Sequence, residues 1–285
     1  MSQNKKILLI GSKGMAGHVI YYYLKEHTSH TVIDIARDST LFDPTYKLDV
    51  TDFDQLKSIF AKEAPDVVIN CIGVLNKDAE ENPGKAILLN SYLPHFIAKA
   101  GEELGFKLIH ISTDCVFNGK KGNYKLNDPK DGTGFYGQSK ALGEVIYGKN
   151  LTIRTSIIGP ELRNGIGLFH WFMSQTGEIK GYTKAYWTGV TTIELAKAIA
   201  AAIEVKPYGL YHLVYEEKIS KYDLVSLFKK VFARGDISIE PFDGYEVDKS
   251  LIKDNTYFNY NVPAYQVMVE EMKKWMLEHK SLYNY

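Results

Sequence analysis

The sequence predicts an α/β protein: a doubly wound parallel sheet of the Rossmann type with a smaller C-terminal substrate-binding lobe. Three observations carry that prediction. Short, nearly continuous apolar runs alternate with longer amphipathic segments through the first two-thirds of the 285 residues. A glycine-spaced turn follows the first of these runs. Beyond about residue 160 the alternation gives way to stretches rich in glycine and aromatics. Apolar strands separated by helices imply βαβ units with both sheet faces covered, and right-handed crossovers wind such units doubly.

Taken in order, "KILLI" (6–10) reads as the first strand and residues 15–26 as the helix after it. "TVIDIA" (31–36) is a second strand, and "TDFDQLKSIFAKE" (51–63) a helix opening on a Thr-Asp cap. "DVVINCI" (66–72) is a third strand, and residues 83–104 form a helix leading to a fourth strand, "KLIHIS" (107–112). A loop (117–134), a helix (135–148) and the strand "LTIRTS" (151–156) follow. Further helices are expected at 191–204, 220–233 and 263–279, with "GLYHLVY" (209–215) as a late strand. These elements divide the chain into a dinucleotide-binding domain (1–158 and 188–215) and a substrate lobe (159–187 and 216–285).

Lys+Arg and Asp+Glu both number 34, so the formal net charge is zero. A nucleic-acid binder draws its affinity from a basic surface, and this balance argues against one. No apolar run approaches the roughly 18 residues that cross a membrane. The apolar run after Lys5 and Lys6 passes straight into glycine-rich sequence without a cleavage site, so it reads as a strand rather than a signal peptide. Two cysteines, Cys71 and Cys115, make neither a disulfide framework nor a metal quartet. No metal site is expected, and the reducing cytoplasm is the expected location.

"GSKGMAG" sets Gly11, Gly14 and Gly17 between the first strand and its helix. A dinucleotide pyrophosphate needs a sharp turn, close backbone approach and tight helix–sheet packing there, and the helix N-terminus offers it unpaired N–H groups. At the end of the second strand, "VIDIARD", two registers compete. Arg37 at the ribose favours NADPH, whereas Asp34 there favours NADH.

Three tyrosines stand four residues ahead of a lysine: Tyr21/Lys25, Tyr136/Lys140 and Tyr245/Lys249. Only Tyr136/Lys140 follows a strand end carrying hydroxyls, "STDCVFNG" (112–119). Residues four apart share a helix face, and an ammonium beside a phenol favours phenolate, bringing it closer to proton transfer with a carbonyl oxygen. Tyr21/Lys25 reads as packing, and Tyr245/Lys249 belongs to no recognisable strand-end arrangement.

The glycine turn, "STD-x-VF-x-G", Tyr136-x-x-x-Lys140 with "GE" (143–144), "RTS" (154–156) and "GLYHL" (209–213) occur in order. Together they resemble the extended short-chain dehydrogenase/reductases, most closely the dTDP-4-dehydrorhamnose reductase group, over residues 5–235. The resemblance implies an NAD(P)H-dependent reductase of the C4 ketone of a nucleotide-linked 4-keto-6-deoxy sugar. Such an enzyme serves polysaccharide or glycoconjugate precursor synthesis as a monomer or homodimer. By the same resemblance Tyr136 donates the proton, Lys140 binds the nicotinamide ribose and tunes Tyr136, and Thr113 holds the substrate carbonyl. Asp114 and Ile157 join Thr113 on the substrate. Gly14, Met15 and Ala16 match the phosphate turn, Asp49 and Val50 the adenine contact, and Cys71, Ile72 and Gly73 the segment under the cofactor.

Departures from that group cluster toward the sugar. Cys115 stands where related dehydratases have glutamate, "EVDKSL" (246–251) lacks the reductases' Arg-Pro, Val190 replaces a proline, and Lys77-Asp78 is inverted. Two alternatives stay open: an epimerase retaining NAD, and a non-catalytic cofactor-binding subunit like the regulatory subunit of methionine adenosyltransferase. Ser139 lacks the glycine of a nucleophile elbow, and His110 reads as packing within its strand. The "FHWF" aromatics (169–172) suit either base stacking or lobe packing.

Overall fold

The structure, a computed structural model, describes residues 4–162, 165–254 and 257–285. The chain opens β1 (Lys6–Ile10), α1 (Met15–His27), β2 (Thr31–Ala36), β3 (Tyr46–Lys47), α2 (Phe53–Glu63) and β4 (Val67–Asn70). Next come α3 (Asn76–Glu81), α4 (Pro83–Ala86), a π-helical turn (Ile87–Tyr92), α5 (Leu93–Leu104), β5 (Lys107–Thr113), α6 (Phe135–Leu142) and β6 (Leu151–Thr155). Then follow β7 (Ile157–Ile158), α7 (Leu168–Met173), β8 (Gly177–Trp187), β9 (Val190–Thr191), α8 (Thr192–Val205) and β10 (Gly209–His212). The chain continues through β11 (Ile219–Ser220), α9 (Lys221–Val231), β12 (Ile237–Asp248) and α10 (Tyr265–Glu278).

Seven parallel strands form one sheet in the order β10-β6-β5-β4-β1-β2-β3. Strand order reverses between β1 and β4, which opens a crevice at their C-terminal ends. The central strands are mainly apolar because helices cover both faces: β4 is buried at every residue, as is β6, whose Thr152 and Arg154 find internal hydrogen-bond partners. Three strands the sequence did not reveal, β8, β11 and β12, make a second sheet. β12 is largely exposed and carries Pro241 and Gly244, so it shows no alternating pattern; an edge strand tolerates both residues. Phe169, Phe172 and Phe228 from this part share one apolar cluster with Ile7, Leu9 and Val19 of the main sheet and α1. The same cluster takes in Met268, Met272 and Trp275 of α10, which packs on α8 and α9.

The helix expected over 83–104 is interrupted by the π turn. Pro94 has no N–H to offer the carbonyl four residues back, so the regular ladder slips. The slip turns Asn90 inward. Its Oδ1 accepts from Val74 N at 2.8 Å, and its Nδ2 donates to Val74 O and Ser139 Oγ at 2.9 and 3.0 Å. α6 ends at Leu142 rather than 148, with Gly143 as its cap; only glycine fits there, since a Cβ would overlap the Asn90 carbonyl oxygen.

The "GE" and "RTS" motifs meet in the interior. Arg154 Nε and Nη2 donate to the two Glu144 carboxylate oxygens at 2.8 and 2.7 Å, with both side chains buried. Ser112 Oγ donates to the same carboxylate at 2.8 Å. His212 Nδ1 lies 2.9 Å from the Ile252 carbonyl and carries the proton, so Nε2 accepts from Arg154 Nη1 at 2.9 Å. Burial alone would raise the Glu144 carboxyl, but the Arg154 hydrogen bonds and charge outweigh it and hold it below the ordinary range. Breaking such a pair from one side strands a buried charge. Arg154→Met is expected to lower unfolding free energy by about 3–5 kcal/mol in urea melts, and the double change Arg154→Met with Glu144→Leu by less than that single one.

Candidate active site

Gly11 leaves β1 with φ +88°, a conformation that favours glycine, and its N–H donates to Ile35 O at 2.9 Å. A Cβ on Gly17 would overlap the Gly11 carbonyl oxygen, so only glycine lets α1 ride this close to the turn. Gly14 caps α1 without a side chain, leaving the first helical N–H groups facing the crevice. The dipole and these donors favour an anion there.

Three linked cavities, of about 520, 340 and 330 Å³, line up along the C-terminal edge of the sheet. Gly11, Gly14, Arg37, Asp49, Val50 and Ile72 line the first. Gly14 and Ile72 continue into the second with Met15, Ala16, Cys71, Gly73, Thr113, Asp114, Tyr136, Lys140 and Ile157. Gly17 lies behind the wall as the packing contact of α1. The third cavity meets the second at Asp114, Cys115 and Ser156, and extends over Trp171, Tyr182, Tyr186, Tyr245, Lys180, Lys221 and Lys249.

The two registers of β2 separate cleanly. Asp34 is fully buried, and its carboxylate accepts from Ser12 Oγ at 2.6 Å and from Thr45 N and Oγ1 at 2.9 Å each. It fastens the glycine turn to the loop before β3 and does not line the first cavity. Arg37 does line it, exposed at the mouth.

At the centre of the middle cavity, Tyr136 sits beside Thr113 and Cys115. Burial pushes its phenol up, with Cys115 adding to that, while a hydrogen bond from Thr113 works the other way. Thr113 Oγ1 accepts from Cys115 N at 3.1 Å and lies 3.2 Å from Asp114 Oδ1. Lys140 is buried, and burial pulls its amine down to about 8. Its Nζ donates to the Ile111 carbonyl at 2.6 Å and lies 3.3 Å from His110 Nε2. Ile72 N donates to Asn70 Oδ1 at 3.0 Å, which leaves Asn70 Nδ2 facing His110 Nδ1 at 3.3 Å. Burial favours a neutral His110, whose single acceptor nitrogen can serve only one of its two donor neighbours, Asn70 Nδ2 and Lys140 Nζ.

A glycine turn, a strand-end threonine and a Tyr/Lys helix meet in one cleft, and comparisons with known proteins give the family of the chain that carries them. The family described as the RmlD substrate binding domain matches residues 5–251. The chain belongs to that family. Among relatives, the RmlD-family chain is 28% identical over 244 residues to a dTDP-4-dehydrorhamnose reductase of Aggregatibacter actinomycetemcomitans, covering 80% of each. It is 28% identical over 143 residues to methionine adenosyltransferase 2 subunit beta of Bos taurus, covering 50% of this chain and 42% of that one. A crystal structure of the Bacillus anthracis dTDP-4-dehydrorhamnose reductase in complex with NADP shares the fold. It has a TM-score of 0.80 at 20% identity, over 96% of this chain and 100% of that one.

Several residues of this RmlD-family site escape a reading of the sequence. Tyr245 and Lys249 both face the third cavity, and Lys249 Nζ lies 3.5 Å from Cys115 Sγ. Burial opposes the Lys249 charge, but Cys115 and Asp114 outweigh it and raise the amine. A bulge in β12 between Phe242 and Glu246 places Tyr245 there. The recurring Tyr-x-x-x-Lys spacing was the only signal, and on a strand it has no helical meaning. The "FHWF" aromatics divide: Phe169 and Phe172 are core, and Trp171 lines the third cavity. His110 is a polar neighbour of Lys140 rather than simple packing.

With its amine near 8, Lys140 in the free protein is an ammonium below that pH and loses its charge above it. Where that charge holds a cofactor, kcat/KM for the cofactor is expected to fall as pH rises through about 8. The fall is expected to vanish from the pH profile of Lys140→Met, whose activity is low throughout.

Proposed function

We propose that this protein is an NADPH-dependent reductase of the C4 ketone of a nucleotide-linked 4-keto-6-deoxy sugar, acting in polysaccharide or glycoconjugate precursor synthesis. The observation that carries the proposal is the middle cavity. There Thr113, Tyr136 and Lys140 converge between a glycine phosphate turn on one side and a lysine- and aromatic-lined cavity on the other.

The residues present fit a dinucleotide. Gly11, Gly14, Met15 and Ala16 cradle the pyrophosphate, with Gly17 permitting the approach of α1. Asp49 and Val50 flank the adenine, and Cys71, Ile72 and Gly73 underlie the remainder. Asp34 is spent on Ser12 and Thr45, so Arg37 is left to meet a ribose 2′-phosphate, which favours NADPH over NADH. When bound, NADPH supplies the hydride.

The chain's own residues supply position and a proton. Thr113 donates to the ketone oxygen, and Tyr136 passes its phenolic proton to that oxygen as charge develops there. Lys140 binds the nicotinamide ribose hydroxyls and, as an ammonium beside Tyr136, offsets the phenolate left behind. Asp114 and Ile157 border the sugar. Lys180, Lys221 and Lys249 suit a diphosphate, and Trp171, Tyr182 and Tyr245 offer aromatic faces to the base. In this reading the second sheet with α7 and α9 forms the substrate lobe.

Tyr136→Phe is expected to keep NADPH affinity while turnover of 4-keto-6-deoxy nucleotide sugars falls about 10²–10⁴-fold. Near-normal turnover would remove Tyr136 from the reaction. Arg37→Ala is expected to weaken NADPH binding about 10–100-fold, the scale of a charged hydrogen bond, with NADH binding nearly unchanged. Equal losses for both cofactors would refute the 2′-phosphate contact.

A further inference from the structure

The segment after α10, Lys280–Tyr285, has no part in the reaction proposed above, yet two of its tyrosines reach the walls of the cofactor cleft. The first contact is a buried chain of hydrogen bonds. Trp275 Nε1 donates to Tyr283 Oη at 3.0 Å, and Tyr283 Oη lies 2.9 Å from His18 Nε2. His18 Nδ1 lies 2.9 Å from the Gly14 carbonyl. The directions are forced. Indole N–H only donates, and a carbonyl only accepts, so His18 carries its proton on Nδ1 and Tyr283 donates to Nε2. Burial pulls the His18 imidazole down to about 4, which keeps it in this neutral form. The chain ends on Gly14, which lines both the first and second cavities and caps α1.

The second contact reaches the opposite wall. Glu161 N donates to Tyr285 Oη at 2.9 Å, His170 Nδ1 lies 3.1 Å from the same oxygen, and the Tyr285 ring packs on Phe169 and His170. The Glu161 carboxylate in turn accepts from Gly167 N and Ile166 N at 2.7 and 3.2 Å. Glu161, Ile166 and Gly167 line the second cavity, and Leu162 lines the first. A Cβ placed on Gly167 would lie 3.5 Å from the Met15 sulfur, so this wall closes directly onto the phosphate turn.

We infer that Tyr283 and Tyr285 are positioning residues for the cofactor: the tail they belong to braces both walls of the cleft, the Gly14 turn through His18, and the wall residues Ile166 and Gly167 through Glu161. The inference rests on the cofactor reading above. It makes the tail a determinant of cofactor affinity, with no role in the chemical step.

The test uses the full chain carrying Tyr283→Phe, Tyr285→Phe, or a stop after Leu282. Tyr285 is 42% exposed, so its phenylalanine variant provides a folded comparison if the others melt early. NADPH Kd is expected to rise about 3- to 30-fold for Tyr283→Phe and the shortened chain, the worth of one lost buried hydrogen bond, and about 2- to 5-fold for Tyr285→Phe, whose hydrogen bonds are exposed. The kcat at saturating NADPH should stay within about twofold. Amide exchange without cofactor is expected to quicken at Ala16 to His18 and, for Tyr285→Phe, at Glu161 and Gly167. Phe60→Leu, a core change across the sheet, controls for lowered stability and should leave Kd unmoved. Unchanged Kd and exchange in the tyrosine variants, or a loss confined to kcat, overturns the brace. An unmodified chain that binds no NADPH overturns the cofactor reading instead.

Discussion

The site depends on the ion pair between Glu144 and Arg154. Tyr136 and Lys140 stand on α6, a helix of eight residues with no side-chain N-cap. A helix that short does not hold itself. It is held by what it touches. The Glu144 fork to Arg154 fixes its C-terminal exit against β6, and Gly143 seats it on the Asn90 carbonyl. Ser91 Oγ donates to the Ser139 carbonyl at 2.8 Å from the side of the π turn. Replacing such a pair by apolar residues costs little stability in general, so its value here lies in fixing one orientation. The fork accepts only one rotation of α6, the one that turns Tyr136 and Lys140 to the end of β5.

The π turn serves the same purpose from the other side. An uninterrupted helix would carry Asn90 on a different face; the slip before Pro94 brings its amide to Val74 and Ser139 together. One side chain thereby ties the segment after β4, which runs under the cleft, to the helix that carries Tyr136 and Lys140. Both devices are buried polar contacts with every strong partner satisfied, the condition under which such contacts rigidify a site.

What the sequence discloses follows from how each part is stabilised. Six strands of the main sheet were legible because they are largely buried and read as apolar runs, and because glycine at 11 and 17 answers a backbone requirement that no other residue meets; the two-residue edge strand β3 was not. The residues from Gly11 to Lys140 that the resemblance singled out line one cleft, except Gly17, which packs behind its wall. The second sheet was not legible. β12 is a mostly exposed edge strand whose bulge interrupts any alternation, and β8 alternates in burial, but Gly181, Thr183 and Ala185 occupy its inner positions, so the period is not written in hydrophobicity. Lys249 and Tyr245 went unassigned for that reason: their meaning comes from pairing with β8, a contact of long sequence separation. The Asp34/Arg37 ambiguity had a different origin. Both registers were chemically sensible, and only the bonds from Ser12 and Thr45 decide which carboxylate or guanidinium reaches the cleft.

The electrostatics of the centre refine the expected partnership of Tyr136 and Lys140. Spacing alone made the lysine a depressor of the phenol, yet in this geometry Lys140 is not among the charges acting on Tyr136. Its amine donates to the Ile111 carbonyl and lies beside His110 Nε2, and burial disfavours its charged form. Burial, with Cys115 beside it, holds Tyr136 as phenol. For a reductase this is the useful resting state, since the acid must carry its proton when the ketone arrives. A lowered phenol is needed only while the proton moves, and at that stage an ammonium fixed by ribose hydroxyls contributes more than it does earlier. Cofactor binding would then both place the hydride and strengthen the charge that lets the proton follow it.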